Sequence, residues 1–357
     1  MTDHAAAERY NRAFGTSCWA IDNASLDGET LTIVGWALPP EGRSQHVVFT
    51  ANGRPFDDQQ FPRDRGDLTE LFWFRANARA SGFECRIRLA PEEIKSTSVM
   101  LQLSDGATGQ PFDANQAWVM PTPSSADRDV ALPDAPRMLR TTGHENATNF
   151  RLTGLSTAFK LREAVAALPR DFSTMNHVLD WGCGCGRVAR FCTDWPGFAG
   201  VDIDADNVKW CSDHLAFGDF RAIDLYPPTP FPDRRFDLIF GISVMTHLAE
   251  DDQQQWLAEL HRITAPHANV LLTTLGEHAA ARAGLDERTF AKIVAAGSTF
   301  DPTANPIDDA LGNTGYYGTT FMTHDEIRRK WSRWFSVDRV VPAYIGNHQD
   351  LVVLRRR

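Results

Sequence analysis

The chain has 357 residues, 43% of them hydrophobic and 23% charged, a composition that excludes extended disorder and favours burial of a sizeable core. Its length exceeds the roughly 250–300 residues at which a single core stops growing, so two domains are expected. With 36 Lys/Arg against 46 Asp/Glu the net charge is −10, and residues 1–130 are as acidic as the remainder, which excludes a basic nucleic-acid binder.

The first residues, MTDHAAAERYNRAF, mix acids, bases and a His where a signal peptide would carry its apolar core. No apolar run reaches the roughly 18 residues of a spanning helix, so a cytoplasmic protein without a membrane span is expected. From about Ser17 to Pro121 the chain runs in short alternating segments, among them LTIVGW at 31–36, HVVFTA at 46–51, GFECRIRL at 82–89 and SVMLQL at 98–103. Such spacing without a helical period predicts a small all-β sandwich over residues 1–125. Asn52-Gly53 marks a two-residue hairpin, because both residues tolerate positive φ. Tryptophans in a module of this size, Trp36, Trp73 and Trp118, are expected in its core, with stacking on sugar faces as the alternative. The stretch PTPSSADRDVALPDAP at 121–136, rich in Pro, Ser and Asp, has no period, and residues 126–137 read as a linker.

From residue 138 to the end the pattern changes to strand alternating with helix, which requires a largely parallel sheet covered on both faces. Strands are predicted over 176–180, 198–202, 236–243 and 269–275, and helices over 186–192, 207–215 and 253–263. Trp256, Leu257, Leu260 and Ile263 form the buried stripe of the last helix. Thr323 followed by Glu326 is a capping-box pattern opening a helix towards Trp331, and two strands near 336–341 and 350–354 close the chain.

The segment VLDWGCGCGR at 178–187 is an apolar strand ending in an acid, followed by Gly182, Gly184 and Gly186 at alternate positions. Glycines are needed where a ligand approaches backbone closely or φ is positive, and a helix start would offer free N–H groups. Asp202 ends the next strand 20 residues after Gly182, the distance at which such a unit presents a carboxylate to ribose hydroxyls. The dinucleotide fingerprint has the spacing G-x-G-x-x-G and places a pyrophosphate beside the loop; here the spacing is G-x-G-x-G and Asp180 precedes it. An acid there would repel a pyrophosphate and suits an ammonium and a sulfonium, so S-adenosylmethionine fits better than NAD. The rivals are a nicotinamide-dependent oxidoreductase and a non-catalytic binding protein.

These residues, with GVDID at 200–204, AIDLYPPTPFPDRRFDLIFGISVMTHL at 222–248 and WLAELHRITAPHANVLLTT at 256–274, resemble the class I S-adenosylmethionine-dependent methyltransferases. The resemblance implies a Rossmann-like, seven-stranded, mostly parallel sheet over 138–357. It implies that the loop backbone at Gly182, Cys183, Gly184 and Gly186 holds the methionine moiety, with Asp180 towards its amino group. Asp202 would take the ribose hydroxyls and Ile203 would lie beside the adenine. Asp224 would reach the adenine amino group, in preference to Asp219, with Leu225 packing nearby and Ser243 completing the cofactor set. Arg140, His144 and Phe150 precede the first strand and would line a lid, or else belong to an exposed linker.

Methyl transfer mainly requires alignment and exclusion of water, and a hydroxyl acceptor also needs a base. His247, just after the fourth strand, is the candidate base, with a structural role as the alternative. Tyr316 and Tyr317 between glycines, in the loop 312–321, and His348 near the last strand are candidate acceptor residues. Cys183-x-Cys185 lacks the spacing of a zinc ribbon, so no metal is expected. The expected acceptor is a glycan or glycosylated small molecule, since GETLTIVGWALPP at 28–40 weakly resembles modules found beside glycan-modifying enzymes.

Overall fold

A computed structural model describes residues 4–302 and 315–357. The N-terminal part has a helix, His4–Phe14, followed by two antiparallel sheets, one of four strands and one of five. Alternate residues of both sheets meet in one core: Trp19, Ile33 and Phe83 from the first, Phe49, Leu101 and Met120 from the second. Asn52 and Gly53 have φ of 50° and 80° and join Val47–Ala51 to Arg54–Pro55, the positive-φ pair that a tight hairpin demands. Trp36 and Trp118 are buried and Trp73 half-buried, so these rings pack the interior rather than offer a sugar-stacking surface.

The C-terminal part is built on a seven-stranded sheet. We number its strands β1 (Val178–Trp181), β2 (Ala199–Asp202), β3 (Asp219–Ala222), β4 (Phe236–Gly241), β5 (Thr264–Thr274), β6 (Ser336–Ile345) and β7 (Gln349–Arg355). The order across the sheet is β3-β2-β1-β4-β5-β7-β6, parallel through β5, with β7 antiparallel to both of its neighbours. Every residue of β1 and β4 is buried, as central parallel strands require. Val178, Leu238 and Leu271 pack under the long helix Ala147–Ala166, while Leu179, Ile239 and Val270 pack under Glu250–Ile263 through Trp256, Leu257 and Leu260. The chain reverses direction across the sheet between β1 and β4, which opens a crevice at their carboxyl ends.

Three expectations need correction. The helix expected over 186–192 is only a 3-10 turn at Ala189–Phe191, because Gly186 has φ 76° and Trp195-Pro196 follows within one turn. The stretch expected to be a lid or an exposed linker instead holds the start of the helix before β1, at Ala147 and capped by the Asn146 side chain, with Phe150 inside that helix. The stretch 126–137 is not a free linker. Asp127 and Arg190, both fully buried, form an ion pair at 3.0 Å; Arg151 donates to the same carboxylate at 2.7 Å, and Arg190 reaches the carbonyls of Val130 and Ala131. Burial pushes the Asp127 pKa up, but the Arg151 hydrogen bond and the two guanidinium charges outweigh it and hold the group below its usual range. The two parts are therefore joined by packing: Leu152 of the long helix sits in the core of the two N-terminal sheets, and Ser156 accepts a hydrogen bond from the Val119 N–H at 2.8 Å.

Candidate functional site

The glycine loop turns at the carboxyl end of β1 with φ of 81°, 52° and 76° at Gly182, Gly184 and Gly186. A Cβ on Gly182 would lie 2.3 Å from Val244 Cγ2, and one on Gly184 would lie 2.8 Å from Thr141 Cγ2. Glycine is thus required twice over, by backbone conformation and by space. The loop N–H groups are not the free donors of a helix start. Gly182 and Cys183 donate to the Val201 carbonyl at 2.8 and 3.0 Å, and Gly184 donates to Asp202 Oδ2 at 2.7 Å. The Cys183 and Cys185 thiols are buried, and burial raises both pKa values, the Cys211 hydrogen bond being the larger cause at Cys183; they are packing groups in the thiol state.

Asp180, 2% exposed, has one carboxylate oxygen without a hydrogen-bond partner. Burial raises its pKa to about 8, partly countered by Arg187 and assisted by Asp202. Asp202 rises to about 6, again chiefly through burial, while the Asp204 and Gly184 N–H groups pull it down. Two acids held partly protonated at one crevice are what a cationic ligand would convert to carboxylates. A cleft opens here, lined by Trp181, Gly182, Asp202, Ile203, Val244 and Leu248 among others. One carboxylate over an otherwise apolar floor suits a nucleoside. The orphaned Asp180 oxygen and the cradle at Gly182 suit an α-amino acid end, so the residues present fit S-adenosylmethionine.

The sequence candidates are only partly brought together. Gly182, Asp202 and Ile203 line the cavity, while Asp180 is buried and not among its lining residues; Ile223 lines it where Asp224 was expected, and Asp224 is exposed. Asp219, at the amino end of β3, belongs to the opposite edge of the sheet, pairs with Arg221 and cannot reach this site. Tyr316 and Tyr317 also line the cavity. The Tyr316 hydroxyl donates to the Leu225 carbonyl and accepts from Trp256 Nε1 at 3.1 Å, tying three segments around the nucleoside end. Residues 312–314 of the loop read as 312–321 lie outside the described residues.

His247 stacks on Tyr317 with ring centroids 5.1 Å apart, and its Nδ1 lies 2.8 Å from the Gly318 carbonyl. A carbonyl only accepts, so Nδ1 carries the proton and Nε2 keeps its lone pair. Burial lowers the His247 pKa, opposed by that bond, and keeps the ring neutral at pH 7. His348 is elsewhere: it lies against Arg282 and His278 at the junction with the N-terminal part, where burial pushes its pKa down to about 3. Phe150 is core, and Arg140 pairs with Asp204 at 2.8 Å and Asp206 at 2.9 Å instead of facing a ligand. His144 is exposed.

Two residues escaped the sequence reading. Arg187 follows the glycine loop and interacts with Asp180; its charge is disfavoured by burial, and among the described residues it forms no ion pair, only a 3.4 Å contact with Thr157 Oγ1. The signal was its place at the end of VLDWGCGCGR. Gln349 opens β7 and its Nε2 donates to Ser243 Oγ at 2.6 Å, a contact across 106 residues that left no local trace. Ser243 itself has φ 62°, a left-handed conformation that costs a residue with a Cβ about 1–2 kcal/mol.

Residues 178–267 match a family described as a methyltransferase domain. A probable chloroplastic tocopherol O-methyltransferase of Oryza sativa subsp. japonica is 29% identical over 123 residues, 31% of this chain and 32% of that protein, so the match spans about a third of the relative's length. Among solved structures, an S-adenosylmethionine-dependent methyltransferase of Methanosarcina mazei aligns at 17% identity over 55% of this chain and 96% of the other, with a TM-score of 0.40. One from Mesorhizobium loti aligns at 14% identity over 55% and 98%, with a TM-score of 0.38. The seven-stranded sheet and the site at its carboxyl edge define a class I methyltransferase fold. The match to a methyltransferase domain falls on the strands and the glycine loop that build this site, from β1 into β5.

Proposed function

We propose that the protein methylates a hydroxyl group, with a glycan or glycosylated small molecule as the acceptor. The observation that carries methyl transfer is the crevice itself: an acid with an unpaired oxygen, a second acid at the cavity wall, and a loop that admits no side chain between them. When bound, the cofactor supplies an electrophilic methyl on a sulfonium. Asp180 would take its ammonium, Arg187 its carboxylate and Asp202 its ribose hydroxyls, with Gly182, Cys183, Gly184 and Gly186 shaping the loop around the amino acid end. Ile203, Ile223, Leu225 and Ser243 would enclose the rest, while Asp224 would have to turn in from the surface to meet the adenine. His247, neutral and with Nε2 available, would accept the proton that the acceptor hydroxyl loses.

A hydroxyl acceptor agrees with the base and with the O-methylation named for the rice relative. The glycan class draws only on the likeness of the N-terminal segment to modules beside glycan-modifying enzymes. A second reading, an aromatic alcohol, is favoured by the ring cluster of Tyr226, Tyr316 and Tyr317 at the cavity. The test is transfer of labelled methyl from S-adenosylmethionine by the full chain to panels of glycans, aromatic alcohols and amines. Labelled methyl in new O-methyl ethers of a glycan is the expected outcome; transfer to amines alone would overturn the hydroxyl reading, and transfer to aromatic alcohols alone would overturn the glycan. His247→Asn should cut turnover about 100-fold with cofactor affinity nearly unchanged. Because burial lowers the His247 pKa, the acid limb of kcat/KM should fall below pH 6.5.

A further inference from the structure

Six non-glycine residues have positive φ among the described residues, and three of them, Ser243, Ala343 and Asn347, gather at the carboxyl edge of β4 and in the β6–β7 hairpin. Such clustering occurs where the surroundings over-determine the backbone. For Asn347 the surroundings belong to the other domain. Its side chain, 2% exposed, donates to the carbonyls of Trp19 at 2.9 Å and Gln116 at 3.2 Å, both in the N-terminal part. Its own carbonyl accepts from Cys18 at 3.6 Å and from Arg282 at 2.7 Å. The turn is thus held by the N-terminal domain from both its backbone and its side chain.

Two residues further on, Gln349 donates to Ser243 Oγ at 2.6 Å, and the Ser243 N–H donates to Thr273 Oγ1 at 2.8 Å. Val244, the next residue, is the side chain that closes over Gly182 and lines the nucleoside cavity. The hairpin is pinned on its other side by Asp350, fully buried, which accepts from the Ala343 N–H at 2.9 Å and from His324 Nε2 at 2.6 Å. Two sets of polar contacts, Asn347 to Trp19 and Gln116 and Gln349 to Ser243, are therefore joined through the backbone of one hairpin, and Val244 follows Ser243 in the chain.

We propose that the N-terminal all-β domain is a positioning part of the cofactor site: through Asn347 and Gln349 it sets the backbone of Ser243–Val244 against the glycine loop. Asn347 and Gln349 are positioning residues that act on the cavity through Ser243. The inference rests on the methyltransferase reading only for the identity of the ligand.

Two variants test it in the full chain. Asn347→Gly keeps a residue that accepts φ 53° and deletes only the side-chain bonds to Trp19 and Gln116. Gln349→Met keeps the length of the side chain, leaves the domain contact intact and cuts the link to Ser243. Calorimetric titration with S-adenosylhomocysteine should give a Kd about tenfold weaker for each variant, and the double variant little weaker than either. Amide hydrogen exchange without ligand should quicken over 241–246 in both, with 236–240 unchanged. A merely structural role would lower the melting temperature without moving exchange at 241–246 or the Kd, and that result in Asn347→Gly overturns the proposal. If Asn347→Gly does not fold, Gln349→Met decides: wild-type Kd and exchange would equally overturn it. Failure of the unaltered protein to bind S-adenosylhomocysteine would remove the methyltransferase reading, while exchange at 241–246 would still judge the coupling.

Discussion

The N-terminal two-sheet core and the carboxyl edge of the seven-stranded sheet lie in one molecule and follow opposite rules. In the first, large rings fill space, as where Trp19 donates to the Gln116 carbonyl at 2.7 Å and packs against both Phe49 and Phe83. At the second, the Asp180 carboxylate keeps an unpaired oxygen, Ser243 is strained and Gly182 leaves no room for a methyl group. Burial of apolar surface sets one region; at the other, burial withheld from polar partners prepares a site for a charged ligand. Stability and binding should therefore respond separately when each is disturbed.

The largest effect should come from the junction between the two. Asp127→Ala leaves the buried Arg190 without its carboxylate and should cost about 3–5 kcal/mol, measured by denaturant unfolding. A loss below about 1 kcal/mol would mean that the ion pair is not a structural anchor. Trp36→Ala, in the apolar cluster that the N-terminal part shares with Leu275 and Ala279, should cost about 3 kcal/mol and leave any glycan affinity unchanged, since that ring is 5% exposed. At the crevice the order reverses. Gly182→Ala should lose only about 1–2 kcal/mol of stability from its φ of 81°, yet weaken S-adenosylhomocysteine by at least tenfold as Val244 is displaced.

Smaller, and confined to the site, is proton linkage. With its pKa raised to about 8, Asp180 is largely protonated at pH 7 in the free protein, and a ligand ammonium should expel that proton. Titration in buffers of different ionisation enthalpy should show proton release that Asp180→Asn abolishes, with affinity falling about tenfold. The weakest contrast is in pH stability. His348 has a folded pKa near 3, below its unfolded value of 6.5, so the unfolded chain binds the proton first. Its contribution is fully present above pH 6.5 and declines as pH falls towards 3, by at most about 1.4 kcal/mol per unit, and His348→Gln should flatten that slope.

What was legible in the chain follows from the range of the interactions. The β1 and β2 strands, the three glycines, Asp180 and Asp202 are local patterns, and the stripe of Trp256, Leu257, Leu260 and Ile263 is a helical period, so each could be read along the sequence. Arg187 could have been read too, being adjacent to the loop. The anchored segment around Asp127 looked like a linker because Arg151 and Arg190 lie far along the chain and only folding brings them to it. Likewise Gln349 meets Ser243, and Asn347 meets Trp19, across 106 and 328 residues, distances at which composition and periodicity carry no information. The turn at Ala189–Phe191 was misread for another reason: apolar spacing there suits a helix, but the positive φ of Gly186 and the following Pro196 leave it no length to form.

The most direct measurement of the central claim, that the crevice between β1 and β4 holds an S-adenosyl nucleoside, is calorimetric titration of the full chain with S-adenosylmethionine, S-adenosylhomocysteine and NAD, beside Asp202→Ala. The account predicts micromolar binding of both sulfur nucleosides, loss of that binding in Asp202→Ala, and no heat from NAD. Binding of NAD alone, or equal binding of the sulfur nucleosides by Asp202→Ala, would contradict it.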